Sequence, residues 1–201
     1  MSAFLGPIHH WLFHKIEIQQ ELTEQVIKAG EKLIPELGEE MDRKYGEFLS
    51  GTLEEIIDGT NIHGWLQIYI SQVEYKLADS VTILMRKYPE LLHEIKKIFY
   101  KKGEDLSSEM EAVSAAQVYK MVSDSLLDGM PCDHANTVLE EKEDQVIWKR
   151  NLCVHTRYWE EVGGDIAYYH ILREELIRGL LADTDFHYHK IDKDLNEIRT
   201  R

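Results

Sequence analysis

Over most of the first 127 residues the apolar positions recur every three to four places, the period of amphipathic helices. Ile8, Leu12, Ile16, Leu22, Val26 and Leu33 form one stripe, with Pro7 placed for an opening helical position and Pro35 as its stop. A shorter amphipathic piece covers about residues 36 to 49 and closes at Ser50-Gly51. The strongest helix follows Thr60-Asn61, where Ile62, Trp65, Leu66, Tyr69, Val73, Leu77, Val81 and Leu84 keep one continuous face. Pro89 opens another helix through Leu91, Leu92, Ile95, Ile98 and Phe99. A fifth, carried by Ala115, Val118, Val122 and Leu126, runs to Leu127 and is stopped by Gly129 and Pro131.

From residue 132 the period changes. Residues 136 to 142 and 145 to 152 are rich in Thr, Val, Ile and Trp and flank the charged Lys142-Glu143-Asp144, which predicts a β-hairpin with a solvated tip. A helix then follows, bent or broken at Gly163-Gly164. Its longer arm, residues 166 to 181, lines Ile166, Tyr169, Leu172, Leu176, Ile177 and Leu180 on one face behind an Asp165 cap. Phe186 to Ile191 alternates as an edge strand does, a possible third strand. The prediction is an α+β protein: a mostly helical bundle over about residues 7 to 127, a small antiparallel sheet built on the hairpin, and a long C-terminal helix. No flexible linker separates the helical half, 1 to 130, from the hairpin–helix half, 131 to 201, so a single compact domain is expected.

Composition narrows the function more than the fold. Apolar residues make up 43% of the 201 positions, enough for a real core without disulfide staples. A net charge of −14 repels phosphate and anionic lipid, which argues against nucleic acid and membranes as partners. No charge-free run reaches the ~18 residues of a spanning helix, and no basic region precedes an apolar one at the N-terminus, so a cytoplasmic protein is expected. In that compartment Cys132 and Cys153 default to thiols or metal ligands rather than to a disulfide.

The ten histidines are unevenly placed, and two patterns stand out. Ile8-His9-His10-Trp11-Leu12-Phe13-His14-Lys15-Ile16 and Ile62-His63-Gly64-Trp65-Leu66-Gln67-Ile68-Tyr69-Ile70 share I-H-x-W-L-x-x-x-I, each just after a helix start. His9 and His63 then sit in first turns, where the positive end of the helix dipole keeps an imidazole neutral and able to ligate a metal or accept a hydrogen bond. The simpler alternative makes Trp11 and Trp65 core residues and the histidines packing partners. A carboxylate-bridged di-iron bundle is excluded by pattern, because Glu90-Leu91-Leu92-His93 is the sole Glu-x-x-His.

The second pattern brackets the hairpin: Cys132-Asp133-His134 before it and Cys153-Val154-His155 after it. If paired residues have numbers summing to 287, Cys132 faces His155 and His134 faces Cys153, and all four project from one face. Two thiolates and two imidazoles suit zinc or another transition metal. In that register Asn136, Lys149 and Asn151 share the polar face, and Leu139, Val146, Trp148, Leu152 and Val154 occupy the buried one. A three-residue loop would slip the strands and separate the set. Tyr158, Tyr169 and His170, close by in sequence, have the character of a small-molecule pocket lining. Phosphate loops, serine-hydrolase elbows and H-E-x-x-H or C-x-x-C motifs are absent, so a Cys/His pair is the sole nucleophile and base available to an enzyme. The expectation is small-molecule or transition-metal binding at a His/Cys/aromatic-rich concavity where the halves meet. The competing expectation is a non-catalytic homodimeric module.

Overall fold

The computed structural model describes residues 5–107 and 114–201. The fold is α+β, with eight α-helices and one four-stranded antiparallel sheet among these residues. The stretch 108–113, which the expected bundle includes, lies outside them. The chain divides into two compact units, Met1–Leu91 with Arg157–Asp165, and Leu92–Thr156 with Ile166–Arg201.

The first unit holds α1 (Pro7–Glu31), α2 (Leu37–Tyr45), α3 (Leu53–Ile56), α4 (Ile62–Lys87), a 3-10 turn at Pro89–Leu91 and most of α7 (Thr156–Glu161). Pro7 occupies the first turn of α1, where its missing N–H is no loss. Asn61 caps α4 by accepting the Gly64 N–H at 3.1 Å. The two long helices run side by side in the same direction, since their contacts advance together: His9 meets His63, Phe13 meets Trp65 and Gln19 meets Glu74. Ile16, Val26, Leu66, Val73, Val81 and Leu84 are fully buried, so the central parts of the two predicted stripes are core, while Ile8 and Leu33 at the ends of the first are 49% and 44% exposed. The first stripe ends four residues short of Pro35, at Glu31.

The second unit holds α5 (Leu92–Ser107), α6 (Ala115–Ser125), α8 (Ile166–Leu180) and the strands β1 (Asn136–Glu141), β2 (Gln145–Arg150), β3 (Phe186–Lys190) and β4 (Leu195–Thr200). α5 and α8 cross backbone to backbone at two glycines. A Cβ on Gly179 would stand 2.0 Å from the Tyr100 carbonyl oxygen, and one on Gly103 would stand 2.3 Å from that of Leu176. The 166–181 helix appears as expected, but it does not end the chain: β3 and β4 follow it. Sheet order is β1-β2-β4-β3, so the unpredicted β4 separates the hairpin from the strand that the tail did predict.

The hairpin differs from expectation at one residue. Near the tip Glu141 pairs with Val146 and Glu140 with Ile147, the predicted register. A bulge then leaves Leu139 unpaired, and Val138, Thr137 and Asn136 pair with Trp148, Lys149 and Arg150. Beyond the bulge the sum of partner numbers falls by one, which moves Asn136 from the face of Lys149 to that of Trp148 and Arg150. Leu139 and Leu152, expected on the buried face, are 58% and 52% exposed. Cross-strand pairing sets one face of the sheet: Val146, Ile198 and Tyr188 at one level, then Trp148, Asn196 and Lys190, then Asn136 and Arg150. It is apolar at one end and polar at the other.

Candidate functional site

The polar end of this face lies under α8, whose residues 170, 173, 174 and 177 fall on one side of the helix by their spacing of three and four. His170, Arg173, Glu174 and Ile177 from α8, with Asn136, Trp148, Arg150, Tyr188, Lys190 and Asn196 from the sheet, line a recess. Its enclosed space is about 10 Å3, room for one water-sized group.

Behind the recess is a buried polar network. Asp128, just past α6, accepts from Arg173 at both oxygens, Nη1 to Oδ1 at 2.6 Å and Nη2 to Oδ2 at 2.9 Å, the paired geometry of a strong charge-assisted contact. Asn136 Nδ2 donates to Asp128 Oδ2 at 2.7 Å, and His155 Nε2 stands 3.4 Å from Oδ1. Tyr169 Oη shares a 2.7 Å hydrogen bond with His155 Nε2, their rings stacked 3.9 Å apart, and Arg173 Nη1 donates to the same oxygen at 3.3 Å. Burial alone would raise the Asp128 carboxyl, but the Arg173 guanidinium and His155 override it and hold the group well below the usual carboxylate range. Arg173 is raised in turn: its burial is outweighed by Asp128.

At the wall of the recess Arg150 Nη1 donates to His170 Nδ1 at 3.0 Å, which puts the imidazole proton on Nε2. Burial, then the positive charges of Arg150, Arg173 and Lys190, lower the His170 pKa to about 4, so the ring is neutral at physiological pH. Arg150 itself is fixed by Asp194, Nη2 to Oδ1 at 2.7 Å, and Lys190 by Glu174 at 3.0 Å. Tyr188, raised to about 12 by burial and by Glu174, stays a neutral phenol and donates to Asn196 Oδ1 at 2.7 Å. One polar atom here lacks a partner: the Asn136 Oδ1 oxygen is buried with no hydrogen bond.

The residues singled out by sequence fall into separate places. His155 and Tyr169 meet in the network, and His170 lines the recess. The proposed tetrad of Cys132, His134, Cys153 and His155 is corrected by the backbone. Pro131–Asp133 is a 3-10 turn, His134 takes a left-handed conformation at φ 47°, and the paired strands begin only at Asn136, so no strand register brings the four together. Cys132 and His134 are exposed, Cys153 is half-buried, His155 is buried, and neither thiol is in a disulfide. Among the described residues no three His, Cys, Asp or Glu side chains stand where they can share a metal ion.

In the first unit His9 and His63 do meet, Nε2 to Nε2, at 3.2 Å. Trp65 stacks on Tyr69 at 4.1 Å, and the Lys15 ammonium lies 3.5 Å over the Trp11 ring. Tyr158 is core, edge-on to Tyr75 at 4.8 Å and hydrogen-bonded to Ser71 at 3.3 Å. Asp128, Asn136, Arg150 and Arg173 are the site residues that sequence reading missed. Arg173 left a faint trace, as the first of the three charges Arg173-Glu174-Glu175 between Leu172 and Leu176 and four residues past Tyr169.

No protein-family model, curated protein or solved structure matches the chain. Among the described residues no helix is long and apolar enough to cross a membrane.

Proposed function

We propose that the second unit binds a small hydroxy acid or amino acid, with the donor group of that molecule in the recess between α8 and the sheet and its carboxylate against the cationic rim. The observation that carries this reading is that Asn136, a residue lining the recess, has a buried Oδ1 with no hydrogen-bond partner. A buried carbonyl oxygen left without a donor costs about 1–3 kcal/mol, which a ligand hydroxyl or amino group offsets. The enclosed space, about 10 Å3, fits one such group and nothing larger. Among the lining residues, Arg150 and Lys190 are cations held in place by Asp194 and Glu174, and neutral His170 offers its Nε2 proton.

Glycolate, lactate, glycine and inorganic phosphate, titrated separately into isotopically labelled protein, test this. The expected result is a saturable shift of the Asn136 side-chain amide and the His170 ring with at least one hydroxy or amino acid. That shift disappears in Asn136→Leu and survives in Lys149→Gln, on the other face of the hairpin. Absence of movement with all four probes, or a response unchanged in Asn136→Leu, overturns the proposal.

A further inference from the structure

The repeated I-H-x-W-L segment is explained by the first unit. Its two copies are the opening turns of α1 and α4, which lie in parallel with equivalent positions facing. His9 and His63, at the same place in each copy and 54 residues apart, therefore converge ring to ring. The rings are tilted 44° with centroids 5.3 Å apart, so they meet at an edge and not by stacking. We infer that His9 and His63 form a two-imidazole site for a divalent transition metal, with Nε2 of each ring as ligand.

Three observations carry the inference. The first is spacing: two nitrogens bound at ~2.0–2.1 Å to a tetrahedral ion stand ~3.3 Å apart, and ~2.9 Å apart at a right angle. The observed separation is 3.2 Å. The second is placement: both residues occupy the first turns of long helices whose following turns pack against each other, so the backbone holds the two rings together. The third is access, since His63 is exposed and solvent supplies the remaining ligands.

The site also has an opposing interaction. The Gly6 N–H donates to His9 Nδ1 at 2.9 Å, so in the metal-free protein the His9 proton sits on Nε2 and points at His63 Nε2. A metal displaces that proton, His9 carries its hydrogen on Nδ1, and the bond from Gly6 is lost. That loss is about 1 kcal/mol, small beside two metal–nitrogen bonds. By the order of intrinsic affinities copper(II) binds ahead of nickel(II) and zinc.

The test is calorimetric titration of the full chain with copper(II) and with nickel(II), joined to electron paramagnetic resonance of the copper form. Wild-type protein takes up one copper with hyperfine structure from two imidazole nitrogens. His9→Gln and His63→Gln each weaken binding roughly tenfold or more, and the double variant is no weaker than the poorer single one, because a lone imidazole does not chelate. His14→Gln, on the same helix, leaves the affinity unchanged. Circular dichroism confirms that each variant is folded. Single variants that bind within threefold of wild type, or a spectrum showing one nitrogen, overturn the site and leave the pair as a contact between two helices.

Discussion

Replacing Asp128 with asparagine keeps the shape of the side chain and removes its charge, which isolates what the carboxylate does for Arg173. That guanidinium is 11% exposed and donates to both Asp128 oxygens, with Tyr169 Oη as its further acceptor. Removing one partner of a buried pair leaves the other charge uncompensated, at about 3–5 kcal/mol. Asp128 is itself 18% exposed, so some water reaches the pair and the lower end, about 3 kcal/mol, is expected. Arg173→Met removes the partner charge, and Asp128→Asn made in that background is expected to be nearly neutral. The cycle is best read from amide exchange in α8 under increasing denaturant, since two units need not unfold together. The carboxyl is held below its usual range, so its contribution is fully present above the unfolded pKa of ~3.9 and is lost only as pH falls beneath it. The penalty of Asp128→Asn is therefore flat from pH 5 to 8 and shrinks in acid. A loss under about 1 kcal/mol, or singles that add within about 0.5 kcal/mol, refutes the account.

Two further outcomes follow from the same unit. Gly179→Ala places a methyl 2.0 Å from the Tyr100 carbonyl oxygen and 3.0 Å from the Gly103 Cα, so α5 and α8 must separate. Chemical denaturation is expected to show a loss of about 3 kcal/mol, whereas a helix not crossed at this point would gain about 1 kcal/mol from the change; a gain would disprove the backbone contact. His170, with its pKa lowered to about 4 by burial and then by Arg150, binds its proton less readily when folded than at the unfolded value of ~6.5. Its contribution is complete above pH ~6.5 and declines as pH falls to about 4. His170→Gln flattens that part of the stability profile, and a ring titration by NMR with a midpoint near 6.5 in the folded protein would contradict the assignment.

Periodicity made most of the fold legible. The stripes of α1, α4 and α8 and the break at Gly163, a residue with φ +68°, all follow from local pattern. β4 escaped because Leu195 and Ile198 are its only apolar residues. Glu197, on the same strand, is 5% exposed and hydrogen-bonded to Gln145 Nε2, an environment that no alternation rule anticipates. The close crossing of α5 and α8 was likewise invisible, since Gly103 and Gly179 have their meaning only against each other.

The site was legible in part, and the reason is a matter of register. The tip of the hairpin pairs as charge and spacing predict, and a regular ladder carried outward would have gathered two thiols and two imidazoles. One extra residue, Leu139, changes the outcome. It turns Asn136 inward beside Arg150, within reach of Asp128 and under α8, while the Pro131 turn keeps Cys132 and His134 out of the ladder. A bulge leaves no reliable mark in a single sequence, because a strand with a leucine outside reads the same as one with a leucine inside until its partner is known. Tyr169 and His170 could be named in advance because they sit on α8, a helix with a clear phase, and His155 because of its place just after the hairpin. Asn136 was placed on the opposite face, because its direction depends on a pairing defect three residues away, whereas Arg150 follows Val146 and Trp148 by simple alternation along β2 and was passed over as the polar end of an apolar strand face.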